Sequence, residues 1–597
     1  MLNFYFYFPV IALAQQNDPI HRLAKALEKN SEYDQALSLY QNLYQKNSKN
    51  PEIINGIKRC YIALHSYQEL ITFLLQVIQY DGPNSVWRID LAEAYYLNNQ
   101  QEEALSTWWN QLEKAEGDIV VYRLVANAMI RQRLYDDAIK VYLQAIEHIK
   151  DQYNLHLDIG NLYKIQLDYG NATKHFLDYY LHNPKQKAYL ERQLLSLSDR
   201  DDQKISVINS LINFLDNNPE QIAAYEILAG IYIKGQDFDK AFAIYKNLDS
   251  HSATGDYLQK FAFEAFKNKA YDHAIRSYKL VLIKDPSSQN KRQAQYNIAK
   301  SYAEIAYKYK EESKPNLAAL NMERAVAIFD SLINYAGQGK QNMPSYLNLG
   351  DIFFHYYQDI DQAISNYSIF ISRSPKNKLR DEAIIKLGDA FLTKNQIEEA
   401  KNSYLLVQHK DLRNIAQFKV CEIYFYQGNF SYALDNYDGL LSKLGVKDPL
   451  ANDILERKFI IGAYSQDTLA LAIFAEAELL FFQNKLSEAA EKMYSLYTAH
   501  LALSPLAGRN CAKALIQLNK LGEAKQLLMS IKDTYPVDDH IDEVIFLLAQ
   551  IEENLGNYNS ALNFYKEILI KYPNSLIIQE VREKARVIKD KIDKEAT

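Results

Sequence analysis

The chain has 597 residues, more than one compact core serves, which leaves several domains or a repeat array. Only 19 glycines and 14 prolines punctuate it and 48% of residues are hydrophobic, which excludes a disordered chain and favours well-packed helix. A net charge of −7, with no block of like charges, removes the electrostatic case for nucleic acid or an anionic membrane surface.

The N-terminus reads MLNFYFYFPVIALAQQ. Its apolar run from Phe4 to Ala14 ends in Ala12-Leu13-Ala14, the small-x-small pattern of a secretory cleavage site, and is too short to span a bilayer. Residues 1–14 are expected to be a signal peptide, although no Lys or Arg precedes the run; a ragged first helix is the other reading. The signal predicts a periplasmic or cell-envelope chain with no integral membrane span after cleavage, the cytoplasm being the alternative. Cys60, Cys421 and Cys511 fall far apart inside helical patterns, as buried thiols do and a disulfide framework does not.

A period then dominates. Ala36, Leu70, Ala104, Ala138 and Ala172 stand 34 residues apart, and the series runs on less strictly through Ser206, Ala241, Ala274, Ala325, Ala363, Ala400, Ala433, Ala489, Ala524 and Ala561. Four residues after most of these comes a large side chain, as at Tyr40, Trp108, Phe176, Tyr367, Tyr404, Tyr437 and Tyr565. Twelve before comes a small residue, as at Ala24, Ala92, Ala126, Gly160, Gly388, Cys421 and Ala549, with Gly350 thirteen before Ala363. A proline often closes the unit, at Pro184, Pro286, Pro375, Pro536 and Pro573. Apolar residues at spacings of three and four put one stripe on each of two helices, and the small residues let the two backbones approach. One hairpin of this kind cannot cover its own apolar faces, so stacked neighbours must.

Interruptions divide the array. Residues 15–303 read as an N-terminal array, with a degenerate unit at Ser206. Residues 304–344 read as an expanded repeat or hinge, its turn swollen to YKYKEESKPNLAAL, and 345–440 as central repeats. An extra helix is expected within 441–468, at PLANDILERKFIIGAYS, followed by C-terminal repeats over 469–573 and an amphipathic capping helix over 574–597.

The order of small, aromatic, alanine, aromatic and proline positions resembles the tetratricopeptide repeat over nearly the whole chain. That resemblance implies an all-α fold, a right-handed superhelix or α-solenoid of helix-turn-helix repeats. Units ending like YPNS and drifting beyond 34 residues look like those of bacterial periplasmic and cell-envelope members. In such arrays the residue after the small position lines a concave groove. Carried onto this chain, those residues are Glu93, Asn127, Asn161, Asp351, Asp389 and Glu422, with Tyr96, Lys164, Phe354 and Phe425 three further on. The stretch from Asp351 to Glu422, with Phe354 and Phe425, predicts an acidic, aromatic groove for a basic partner. Arg123 with Asn127 resembles half of the clamp by which chaperone-docking members hold a C-terminal carboxylate, but Asp158 stands where the next asparagine is needed.

No catalytic motif appears: no phosphate-cradling glycine loop, H-E-x-x-H, C-x-x-C or G-x-S-x-G. The 12 histidines are dispersed, none one helical turn from another. The expectation is a non-catalytic scaffold of the bacterial envelope, without cofactor, metal or nucleic acid, that binds peptides or partner domains along its groove. Two alternatives are a structural subunit of an export or outer-membrane assembly complex and a cytoplasmic co-chaperone-like adaptor.

Overall fold

The computed structural model describes residues 19–81, 84–252, 254–284, 288–335, 343–445, 448–499 and 502–595; the expected signal peptide and Pro286 lie outside them. Among the described residues the chain is an all-α solenoid of 32 α-helices in consecutive packed pairs, with no strand. No helix among them is long and apolar enough to cross a membrane. The chain forms two compact units, Met1–Ala265 and Phe266–Thr597. Both interruptions expected from the sequence, at 304–344 and 441–468, fall inside the second.

Burial follows the period. All the alanines of the series, from Ala36 to Ala561, have no exposed surface. The rings four residues on are equally enclosed, with Tyr40, Trp108, Phe329, Tyr437 and Tyr565 at 0%. In the hairpin Leu155–Ile165 and Tyr169–His182, the Phe176 ring sits on Gly160, where an added Cβ would lie 2.7 Å from the ring. Tyr367 covers Gly350 and Tyr404 covers Gly388 still more closely. A small residue is therefore required wherever a second-helix ring packs flush on first-helix backbone.

Three local departures have physical causes. At the degenerate unit Ser206 is half-exposed and Val207 takes the core position with no exposed surface, so the register slips by one residue to keep an apolar side chain inside. The expected swollen turn at 307–320 is largely helix. Its extra residues lengthen Ser288–Glu311 and Pro315–Tyr335 to 24 and 21 residues, leaving a short turn between them. A helix spans Pro449–Ala463, its N-terminus capped by Asp448, which accepts from Leu450 N–H at 3.0 Å. The last helix, Ile578–Glu595, buries Val581 and Ile588 against Tyr558–Lys571.

The turns inside the hairpins also keep the period. Ser31, His65, Asn99, Arg133 and Leu167 all have φ between 56° and 65°. Each ends its first helix by the Schellman pattern, as where Asp168 N–H reaches Tyr163 C=O at 2.9 Å and Leu167 takes the left-handed residue. Glycine suits that conformation best, and among the described residues only Gly428 and Gly556 supply it at equivalent turns. Leu167 is 69% exposed, so its side chain stabilises little to offset the left-handed cost. Replacing Leu167→Gly should raise the stability of its hairpin by about 1 kcal/mol, read as a higher melting temperature. Gly388→Ala should do the reverse, costing about 2 kcal/mol by driving a methyl into the Tyr404 ring; an unchanged denaturation midpoint would contradict the assigned packing.

Candidate functional site

Asp351, Asp389 and Glu422 each follow a buried small residue on a first helix, and each is already engaged. Tyr367 donates its hydroxyl to Asp351 at 2.8 Å, while Lys386, on the next hairpin's first helix Lys378–Thr393, reaches both carboxylate oxygens at 2.7 and 2.6 Å. Tyr404 donates to Asp389 at 2.6 Å, and Lys419 of helix Lys410–Tyr426 does so at 2.8 Å. Glu422, only 8% exposed, accepts from the Tyr437 hydroxyl and from Arg457 Nε and Nη2 at 3.0 and 2.7 Å. Arg457 belongs to the inserted helix and also pairs with Glu478 of the helix that follows. Burial first, then the adjacent carboxylate, pushes the three phenols far above their ordinary pKa, so they remain donors.

The same acid–phenol–base triplet appears in the first unit as Glu28, Tyr40 and Arg59, and near the other end as Glu553, Tyr565 and Lys584. There the acid stands one turn later on its helix, and the phenol still reaches it. Glu93 accepts from Arg131 Nε and Nη2, at 2.8 and 2.7 Å. Across these pairs the base lies 30 to 38 residues beyond its acid, on a later helix.

The acids of the expected groove stand on first helices, and each is paired with a base of a later helix. Phe425 has no exposed surface and lies under the Arg457 guanidinium, 4.3 Å from its ring centre. Phe354 is half-buried in a π-helical turn, Phe353–Tyr357, and packs on the core around Tyr367. Arg123, Asn127 and Asn161 are exposed, and Arg123 lies 3.9 Å from Asp158. The residue that spoils the carboxylate clamp thus also occupies its arginine.

One open recess is mainly apolar. A cavity of about 560 Å³ lies in the second unit, walled by Tyr404, Ile415, Phe418 and Phe482, with Lys419 and Glu422 among its polar groups. Ile415 and Phe482 are 40% and 36% exposed. The cavity exists because the helix Thr468–Phe482 packs back against Lys410–Tyr426, past the inserted helix. Gln483 secures the return by donating to Leu392 C=O at 3.1 Å and Asn395 Oδ1 at 3.0 Å. Asp351 borders a smaller cavity of about 290 Å³ with Lys300, Glu304, Tyr307 and His355.

The histidines are less dispersed in space than in sequence. His156 and His175, on facing helices of one hairpin, bring their Nδ1 atoms to 2.8 Å, with Asp178 beside them. The signal that could have found them is the antiparallel register set by Gly160 against Phe176, which places the turn before Gly160 opposite residues around Phe176.

The fold defines a helical-repeat solenoid, and residues 543–575 match the tetratricopeptide repeat family model. That segment is the hairpin of Ile541–Asn554 and Tyr558–Lys571, with Ala549, Ala561 and Tyr565 in the periodic core. Among solved structures the chain is similar to that of Naa15/Naa10 bound to HypK-THB, at 13% identity over 96% of each chain with a TM-score of 0.27. It is also similar to the P58(IPK) TPR domain, at 15% identity over 68% of this chain and 98% of that one, with a TM-score of 0.19. No curated protein matches the sequence.

Asp389→Ala separates the two views of the acids. A free groove residue could be lost without cost, whereas here the change strands a buried phenol and Lys419. We expect destabilisation of about 1–3 kcal/mol in denaturant unfolding, with Tyr404→Phe recovering part of it in the double variant. Additive effects of the two substitutions would refute the triplet.

Proposed function

We propose that the protein is a non-catalytic scaffold that holds an extended peptide or partner segment on the second unit, with an apolar anchor in the cavity beside Tyr404, Ile415, Phe418 and Phe482. The observation that supports it most is that cavity, open to solvent and edged by a lysine and carboxylates. Exposed aromatic and branched side chains around a recess are what partner anchors use, while paired charges fix orientation. Because the first-helix acids are neutralised internally, the favoured partner presents a bulky apolar side chain flanked by polar groups, rather than a run of lysines.

Export to a bacterial envelope is part of the proposal and rests on the Phe4–Ala14 run and its Ala12-Leu13-Ala14 end. Protease resistance of the protein in intact cells, lost when the outer membrane is opened, is the expected result; digestion only after the inner membrane is breached would reject this location.

The site is tested by selecting binders of the full-length protein from a random peptide library and measuring the best by calorimetry. Ile415→Ala with Phe482→Ala should weaken binding at least tenfold, on the order of two moderate anchor contacts, while the melting temperature of these half-exposed positions changes little. Undiminished affinity in that folded double variant would place the binding face elsewhere.

A further inference from the structure

We propose that His156, His175 and Asp178 form a binding site for one late first-row transition-metal ion, of the class of Zn²⁺, with its open side toward solvent. The three come from one hairpin of the first unit. His156 stands in the first turn of Leu155–Ile165; His175 and Asp178, three residues apart on Tyr169–His182, project from the same face of that helix. His156 Nδ1 lies 2.8 Å from His175 Nδ1 and 4.0 Å from Asp178 Oδ2, and the ligand atoms of all three residues fall within 4.8 Å of one another. With every pair within 4.8 Å, one ion can reach all three atoms, zinc bonds to imidazole and carboxylate being ~2.0–2.2 Å.

The surroundings suit the ion. His175 is 7% exposed and Tyr163 stacks on its ring with centroids 5.5 Å apart, which holds the imidazole in place. The Asp178 side chain is 30% exposed and the His156 side chain 14%, so the carboxylate forms the mouth of the site. Two imidazoles and one carboxylate are a donor set for zinc, nickel or copper and a poor one for calcium or magnesium. Three protein donors leave at least one position for water or a further ligand.

His182 is the internal control. It is one turn beyond Asp178, but its Nδ1 is 3.1 Å from the Asp178 carbonyl and its ring stacks on Tyr153 at 3.5 Å, so it is engaged away from the triad.

The test uses the full-length chain after chelator treatment, titrated with zinc chloride by calorimetry and with cobalt(II) chloride by visible absorption. We expect saturable one-to-one uptake of zinc and ligand-field bands for cobalt. His156→Asn and Asp178→Asn should each weaken zinc at least tenfold and bleach the cobalt bands, while His182→Asn leaves both intact. Both tested ligands are partly exposed, and metal-free circular dichroism and melting establish that the variants fold. Absence of saturable uptake by the wild type, or wild-type binding by His156→Asn and Asp178→Asn, overturns the site.

Discussion

The structure depends on one steric relation: an aromatic ring from the second helix of a hairpin lying flat on first-helix backbone that has no side chain in the way. Phe176 on Gly160, Tyr367 on Gly350 and Tyr404 on Gly388 are its plainest cases. Close approach there sets how the two helices meet, and the fully enclosed alanine four residues before each ring lets the next hairpin nest behind it. A helical pair with larger residues at these positions would splay, and its apolar stripe would face water. Repetition follows, because each hairpin is completed by its neighbour.

On that frame the acid–phenol–base triplets add direction. In Asp351–Tyr367–Lys386 and Asp389–Tyr404–Lys419 the phenol ties the acid to its own hairpin and the lysine ties it to the next. A half-buried carboxylate with a neutral donor on one side and a cation on the other is well satisfied, and removing any member strands the rest. The hydroxyl explains why tyrosine rather than phenylalanine stands at Tyr40, Tyr367, Tyr404, Tyr437 and Tyr565. Where Phe176 stands instead, the residue after the small position is Asn161, uncharged and exposed.

Much of this was legible in the amino-acid order, and the division between what was and was not is physical. Size exclusion acts at fixed positions, so Ala36, Gly388 and Tyr565 declare their roles by spacing alone. Ion pairing between hairpins does not: Lys386 lies 35 residues from Asp351 but Lys419 lies 30 from Asp389, because a lysine's long stem reaches its partner from different turns of the next helix. Asp351, Asp389 and Glu422 therefore read as free groove acids, and Phe425, beside Glu422, as a groove aromatic. The slip from Ser206 to Val207 was hidden for the opposite reason: the core demanded an apolar residue more strongly than the period demanded a position. His156 and His175 lie 19 residues apart on facing helices, so their proximity shows across the hairpin and not along either helix.

Perfect repetition would also have left little to bind with. Identical hairpins stacked without interruption cover their apolar faces completely and expose only paired charges and stems. The inserted helix Pro449–Ala463 breaks that closure. It supplies Arg457 as the base for Glu422, as an ordinary next hairpin would, and the same guanidinium also engages Glu478 on Thr468–Phe482. With the insertion bridged electrostatically, Thr468–Phe482 is free to return to Lys410–Tyr426 and anchor through Gln483 to Leu392. Phe482 and Ile415 are left facing a recess that no neighbour fills. At this interruption the second unit acquires an open apolar recess, and Arg457 bridges the insertion to the hairpins on either side of it.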